Sequence, residues 1–402
     1  MRAATSSRSL YLFAAVLRRK QAIGQLASVF WGTLPLGVFP VAIVLAVHAW
    51  TGSFVTAGLV GGSFTAGNAV GLAVQGALID RFGARMTILA AGAASVAAVS
   101  AFVVCGVLGV PVAALMATAA GLGLTLPEIT TAVRAWVSTS GLDRTERISA
   151  YSLLAMCFQV GIVIGPLLVV IAFRPDAPEW ALVTGGVLSV AAAGFYLWLI
   201  REGRPVLRTS SSAGVRLRWV VNARFRWVLV VAVLSGVPAG LLMVVLPKAA
   251  AESGFIGGAG FPLAALAAGE VVGALAFGST SWRASTGRLL TAALALGAAA
   301  YVMAASLSMN FALLTVCVFV VGLSAGPVAV VLSTATDSAS TPSTIGRASG
   351  LRISATLIAS AVGSAAAGGL GVVLAVSGVL LVGGLVMAVA AGVVALAPAR
   401  FS

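Results

Sequence analysis

The chain has 402 residues, of which 60% are apolar and only 8% are charged, and 47 glycines add to this apolar character. So few charged residues cannot cover the surface of a soluble protein, and so apolar a chain is not disordered. The net charge of +14 comes from short basic clusters between long apolar runs, which excludes a folded basic face for nucleic acid. The composition indicates an integral membrane protein.

Few residues are available for enzyme chemistry. The three cysteines, Cys105, Cys157 and Cys317, all lie in apolar runs without the paired spacing of a metal site, and His48 is the only histidine. No nucleophile elbow and no phosphate-binding loop motif occurs. We therefore expect neither an enzyme nor a bound metal or cofactor.

Apolar runs of about 20 residues, long enough to cross a bilayer, recur along the whole chain. In order they cover 26–48, 54–78, 86–108, 111–134, 149–173, 180–200, 227–248, 257–279, 287–308, 311–335, 347–372 and 374–397. These runs predict an all-α integral membrane protein with twelve transmembrane helices. Residues 1–25, with the cluster Arg18-Arg19-Lys20, are predicted to be a basic cytoplasmic lead-in.

The basic residues predict the orientation of these helices. With the N-terminus inside, 22 of the 24 lysines and arginines fall in inner segments, and only Arg174 and Lys248 fall outside. Positive residues favour the cytoplasmic side, so both termini are predicted to be cytoplasmic in a multi-pass protein of the cell (inner or plasma) membrane. The preference for arginine over lysine and the Ala/Gly/Val bias point to a bacterial source.

The chain is predicted to consist of two similar halves. Residues 26–200 and 227–397 each hold six spans, joined by an arginine-rich cytoplasmic linker over 201–226, and 398–402 form a cytoplasmic tail. The segment 67–71 matches 269–273 at an offset of 202, and Gly121 matches Gly322 at an offset of 201. These repeats predict two six-helix bundles related by a pseudo-twofold axis along the membrane normal.

The composition of the polar loop between spans two and three indicates a tight turn that holds charged residues. Its residues Gly76, Asp80, Arg81, Gly83 and Arg85 belong to the stretch GALIDRFGAR. Gly83 permits a tight turn, and Asp80 needs a cation or a helix N-terminus because it cannot face lipid. The alternative is that these charges only stabilise the turn.

This loop resembles the signature loop of the major facilitator superfamily, G-x-L-x-D-R-x-G-x-R. Gly161, Gly165 and Pro166 in span five are similar to the antiporter motif of that superfamily, without the glycines expected after the proline. The resemblance, closest to efflux-type actinobacterial members, implies a monomer that works by alternating access. It also implies that Asp80 anchors the loop near Thr344 to Arg347 in the outward-facing state.

Two carboxylates within predicted spans are candidates for proton coupling. Glu270 lies near mid-depth in span eight, with Asn68 at the equivalent position of the repeat. A carboxyl in apolar surroundings can carry a proton reversibly, or it can stay neutral and hydrogen-bonded between helices. Glu128 follows Pro127 in span four, where it faces the cavity or forms a salt bridge with Arg81, Arg85 or Arg134. The arginine that the family places in span four, and links to proton transfer, is replaced by Ala117.

Polar side chains within spans, and side chains near proline breaks in spans one and seven, are candidates for a substrate cavity. They are Trp31, Asn68, Gln159 and Met243. Trp31 alternatively packs between helices, and Gln159 alternatively makes an interhelical hydrogen bond. A cavity that is aromatic and poor in carboxylates suits a hydrophobic or amphipathic compound better than a sugar.

The leading functional hypothesis is a proton-driven exporter of a hydrophobic or cationic small molecule, such as a drug or a secondary metabolite. Its expected partners are that substrate, protons and the lipid bilayer. The first alternative is an importer or symporter of a small metabolite, which a polar cavity would favour. A sensor or scaffold that moves no solute is the last alternative, and a broken signature loop would favour it.

Overall fold

The computed structural model describes residues 20–140, 144–200, 223–278, 284–340 and 345–396. Within them, twelve helical segments are long and apolar enough to cross a membrane, as predicted. Their bounds are α1 Lys20–Thr51, α2 Phe54–Phe82, α3 Ala84–Val107, α4a Val112–Thr125 with α4b Ile129–Thr139, α5 Arg144–Ala172, α6 Glu179–Leu199, α7 Ala223–Glu252, α8 Gly260–Gly278, α9 Thr286–Ser306, α10 Phe311–Ser338, α11 Ile345–Val373 and α12 Val376–Leu396. A 3₁₀ turn, Ile256–Ala259, precedes α8.

Two predicted boundaries differ from the structure. Helix α1 begins at Lys20 and α7 at Ala223, so 20–25 and 223–226 are helical and not part of the lead-in or the linker. The start of α1 was not predicted because Gln25 is polar. Its side chain is nevertheless only 2% exposed, because this turn packs inside the bundle. The rest of the lead-in, the linker and the tail lie outside the described residues.

The fourth span is two helices and not the single one predicted over 111–134. Helix α4a ends at Thr125, and α4b begins at Ile129. Pro127 has no N–H to donate, and it forces the preceding residue out of helical geometry. Leu126 accordingly has φ −61° and ψ 123°, which is extended backbone.

Glycines let helices pack closely in the same way in both halves. A Cβ on Gly67 or Gly71 of α2 would collide with the backbone of α4a, and one on Gly269 or Gly273 of α8 would collide with α10. These two pairs of glycines were matched in the sequence. The close α2–α4a and α8–α10 contacts are therefore equivalent.

The structure corrects the register of the second repeat. Gly123, and not Gly121, is the equivalent of Gly322. A Cβ on Gly123 would meet the backbone nitrogen of Asn68, and one on Gly322 would meet that of Glu270, whereas Gly121 has no atom within 4 Å. The offset here is 199 residues, because the connections between the equivalent helices differ in length.

The two halves meet along two seams. In the first, α2 packs on α11, where a Cβ on Gly58 or Gly62 would meet carbonyl oxygens of Ser364 and Ala361. The Ser364 hydroxyl also donates to the Gly58 carbonyl at 3.3 Å. In the second, α5 packs on α8, and a Cβ on Gly260 would collide with the Pro166 carbonyl.

Both seams lie on one side of the molecule. We call this side the distal face, where α1 ends at Thr51 and α2 begins, and the other side the terminal face, where α1 begins and α12 ends. The α2–α11 seam reaches inward as far as Ser354, whose hydroxyl donates to the Ala69 carbonyl at 3.4 Å. Beyond it, an added Cβ on Gly76 or Gly350 has no atom within 4 Å. Among the described residues, the halves are therefore closed at the distal face and separate toward the terminal face.

Candidate functional site

Helix α1 packs mainly on α5 and α6 of its own half and also contacts α7 of the other half. On one of its stripes, Val38, Ala42 and Leu45 are fully buried. Trp31 lies on the same stripe, seven residues nearer the terminal face, and is 41% exposed. The indole ring packs edge-on against Phe30, with ring centroids 5.9 Å apart. This stripe therefore changes from buried to exposed at Trp31.

Asn68 lies on α2 at the level where the first seam ends. The exposed residues Val70 and Val74 are on another side of α2, so the Asn68 side chain faces the interior. It is 8% exposed, and its amide nitrogen Nδ2 has no hydrogen-bond partner among the described residues. A buried donor without a partner is costly, and a bound polar group would satisfy it.

Glu270 faces the interior from the equivalent place on α8. The exposed large apolar residues of α8, Phe261, Val272 and Leu275, lie on the side opposite Glu270. The Glu270 carboxylate makes no ion pair with any described residue. This position is compatible with both roles that the sequence predicts for Glu270, a proton carrier and a neutral group between helices.

Gln159 of α5 is on the stripe that forms the second seam. It lies seven residues from Pro166, which is about 10 Å along the helix axis, on the terminal side of the Pro166–Gly260 contact. Glu270 lies ten residues from Gly260, about 15 Å on the same side. Gln159 and Glu270 therefore occupy similar depths on facing helices, where the seam opens.

Met243 is placed differently from the other cavity candidates. It lies on the stripe of α7 that includes Gly236 and Gly240, which pack closely on α11. Its side chain is half-buried and packs against the hydrophobic core. The structure brings Trp31, Asn68, Gln159 and Glu270 to the level where the seams end, but it does not bring Met243 to them.

Gln75 is a polar residue that the sequence analysis missed. Its side-chain nitrogen Nε2 donates to the carbonyls of Leu124 at 3.0 Å and Leu126 at 2.8 Å. Its oxygen Oε1 accepts a hydrogen bond from the backbone N–H of Glu128 at 3.1 Å. Gln75 therefore bridges the break between α4a and α4b. The sequence feature that could have identified it is a glutamine within an otherwise apolar helix.

Glu128 is buried at this break, with 8% of its surface exposed. Among the described residues, no ion pair joins it to Arg81, Arg85 or Arg134. The predicted salt bridge is therefore wrong for this state. The reason is geometric, because the backbone of Glu128 is held by Gln75 inside the N-terminal half.

The predicted tight turn of the signature loop is confirmed. Gly83 alone separates α2 from α3, with φ 86°, and its N–H donates to the Ile79 carbonyl at 2.9 Å. This positive φ favours glycine over other residues. Arg81 stacks on the Phe82 ring at 5.0 Å, while Asp80 is exposed and forms no ion pair with a described residue. The expected anchor at Thr344 to Arg347 lies outside the described side chains.

The antiporter-like motif joins α5 to two other helices. A Cβ on Gly161 would meet Thr33, and one on Gly165 would meet Gly37, so both glycines pack α5 on α1. The Pro166 carbonyl contacts Gly260 of α8 across the second seam. In the described segments, no cluster of three His, Cys, Asp or Glu side chains is placed to hold a metal ion.

Two six-helix halves, close-packed at one face and parted at the other around an inward polar site, are the architecture of alternating-access transporters. The family model of the Major Facilitator Superfamily matches residues 22–255. The chain belongs to the major facilitator superfamily, whose members are transporters and not enzymes.

Solved structures agree on the fold. A mutant of the nucleoside transporter NupG aligns with a TM-score of 0.73 at 12% identity, covering 95% of this chain and 100% of that one. The POT family transporter PepTSo aligns with a TM-score of 0.74 at 12% identity, covering 95% and 98%. A bacterial homolog of the human lysosomal transporter Spinster, in an inward-facing and occupied conformation, gives 0.64 at 14% identity and covers 96% of both chains. The sequence has no significant match among curated proteins.

Proposed function

We propose that this protein is a secondary active transporter that exports a hydrophobic or cationic small molecule in exchange for protons. The observation that carries the proposal is the interior-facing carboxylate of Glu270, which has no ion-pair partner among the described residues, at the depth where the seams open. A carboxyl held away from both lipid and cations binds a proton or a cationic substrate in turn. The exposed ring of Trp31 adds an aromatic surface for an apolar or cationic group.

In this proposal, alternating access means that the two halves meet at the distal face in one state and at the terminal face in the other. With the predicted orientation, the terminal face is cytoplasmic, so the state described here is open inward. Export requires the distal seams to part and the signature loop to close the cytoplasmic side. In this cycle Asp80 engages its partner in the state that is closed at the terminal face.

The proposal is tested in inside-out vesicles that contain the protein and a pH-sensitive dye. A preformed proton gradient is challenged with lipophilic cations, antibiotics, sugars and organic acids. We expect some lipophilic or cationic compounds to collapse the gradient only when the protein is present. A response to sugars or organic acids alone would contradict the proposed substrate class, and silence with a folded protein would contradict proton-coupled antiport.

Glu270→Gln is expected to abolish the substrate-induced collapse of the proton gradient while the protein still binds its substrate. Glutamine keeps the size and the hydrogen-bonding capacity of the side chain but cannot release a proton. The matched control is Glu252→Gln, because Glu252 is exposed at the distal end of α7. Undiminished, pH-dependent flux through Glu270→Gln would remove Glu270 from the coupling role.

Asp80→Asn is expected to slow transport by favouring the state that is open at the terminal face. Asp80 makes no ion pair with a described residue, so the substitution is expected to cost this state little, whereas it weakens the opposite state where the charge is engaged. Distances between spin labels across the terminal face measure the two populations. A label-distance distribution equal to that of the parent protein would show that Asp80 does not hold either state.

A further inference from the structure

A groove lies between α3 and α6 on the outside of the N-terminal half. It has a volume of about 270 Å³ and is lined by Arg85, Leu89, Gly194, Leu197 and Trp198. Both α3 and α6 pack on helices of their own half, so the groove is separate from the seams and from the central cavity. It opens sideways, toward the hydrocarbon that surrounds a membrane-spanning bundle.

The walls of this groove are apolar and exposed. Leu89 is 51% exposed and Trp198 is 63% exposed. The Trp198 ring stacks with Phe195, with ring centroids 6.0 Å apart, which holds the indole in place. An added Cβ on Gly194 has no atom within 4 Å, so the floor of the groove is open. A flexible acyl chain fits such a surface, because it needs area and no hydrogen bonds.

A single positive charge stands at the terminal end of the groove. Arg85 is the second residue of α3, so its guanidinium lies where that helix reaches the membrane surface. It is exposed and makes no ion pair with any described carboxylate, including that of Asp80. In the sequence, Arg201, Glu202 and Arg204 follow the end of α6, and together they carry a net charge of +1.

We propose that the groove between α3 and α6 binds an anionic phospholipid, with the lipid phosphate on Arg85 and an acyl chain against Leu89 and Trp198. Charge complementarity selects the headgroup, since an exposed arginine at the membrane surface attracts acidic lipids. The aromatic ring at the level of the headgroups suits the interface between water and hydrocarbon. A soluble anion satisfies only the arginine and leaves the apolar walls uncovered.

The consequence is mechanical, because Arg85 follows Gly83 at the turn of the signature loop. A bound lipid fixes the start of α3 at the membrane surface, whereas α2 carries Asp80 on the other side of the turn. The lipid therefore tethers one arm of this loop to the bilayer. Arg85 thus acts on the lipid and not as a partner of Asp80.

The test counts lipids bound to the purified full-length protein by native mass spectrometry. Phosphatidylglycerol is titrated into detergent micelles and compared with phosphatidylcholine. The variants are Arg85→Gln and Trp198→Ala, with Arg288→Gln as the matched control. Arg288 is exposed and lies at the start of α9, which is the repeat equivalent of α3. Thermal unfolding checks that each variant remains folded.

We expect the parent protein and Arg288→Gln to hold one more phosphatidylglycerol than Arg85→Gln does. The affinity of this lipid is expected to fall about 5-fold or more in Arg85→Gln and in Trp198→Ala. Millimolar inorganic phosphate should not displace it. Equal binding of phosphatidylcholine, displacement by phosphate alone, or unchanged binding to folded Arg85→Gln would each overturn the proposal.

Discussion

Gly62→Leu is expected to prevent closure of the distal face and to reduce transport at least about 10-fold. An added Cβ on Gly62 already lies 2.6 Å from the Ala361 carbonyl oxygen of α11, and leucine adds three further carbons. Overpacking of this kind costs about 1–3 kcal/mol, which shifts an equilibrium between two states by about 5-fold to 150-fold. The cost falls only on the state with the closed seam, so the equilibrium moves toward the distal-open state.

Labelling of a single cysteine at position 45 measures this shift. Leu45 is fully buried in the distal half of α1. We expect it to become accessible when the halves part there. After Cys105, Cys157 and Cys317 are replaced by serine, Leu45→Cys should react with an impermeant maleimide faster when combined with Gly62→Leu. The control is Gly392→Leu on α12, since Gly392 is exposed and an added Cβ has no atom within 4 Å. Equal labelling rates in all backgrounds would show that the α2–α11 seam does not close the distal face.

Gln75→Leu is expected to lower the free energy of unfolding by about 3 kcal/mol, because three hydrogen bonds are lost at about 1 kcal/mol each. These bonds satisfy two carbonyls and one N–H that the break in the fourth span leaves without helical partners. Unfolding by sodium dodecyl sulfate in mixed micelles measures the change. Gln75→Glu should also be destabilising, since a carboxylate offers no N–H to the two carbonyls.

Ser63→Ala is the matched control for Gln75→Leu. Ser63 is on the same helix, but its hydroxyl donates only to the Leu59 carbonyl one turn earlier, at 2.9 Å. Its loss is expected to change stability by about 0.5 kcal/mol or less. If Gln75→Leu is as stable as Ser63→Ala, the break between α4a and α4b is held by packing and not by Gln75.

The sequence predicts well those features that depend on short segments. Twelve spans follow from runs of apolar residues, because each helix satisfies its own backbone and needs only length and hydropathy to cross a bilayer. The turn at Gly83 follows in the same way, since a tight reversal between two helices requires a positive φ. The repeat of Gly67 and Gly71 with Gly269 and Gly273 correctly marks helices that pack closely.

The direction in which side chains face is not available from such patterns. Helices in a membrane are apolar on all sides, so the sequence has no polar stripe that marks the lipid-facing surface. Met243 was grouped with Trp31 for this reason, although neighbouring helices place them on different surfaces. Asn68 and Glu270 were found because a polar residue in an apolar run is visible without knowledge of its neighbours.

By itself, the sequence determined the class of protein, the number of spans and the polar residues that lie among them. The tertiary structure alone decided that Gln75 bridges the break after Thr125, because these hydrogen-bond partners are about 50 residues apart in the chain. It also decided that Gly123 is the equivalent of Gly322 and that the distal face is closed. Among the described residues, it further showed that Glu128 forms no salt bridge. Each of these depends on which helices become neighbours, and the apolar runs carry no information about that choice.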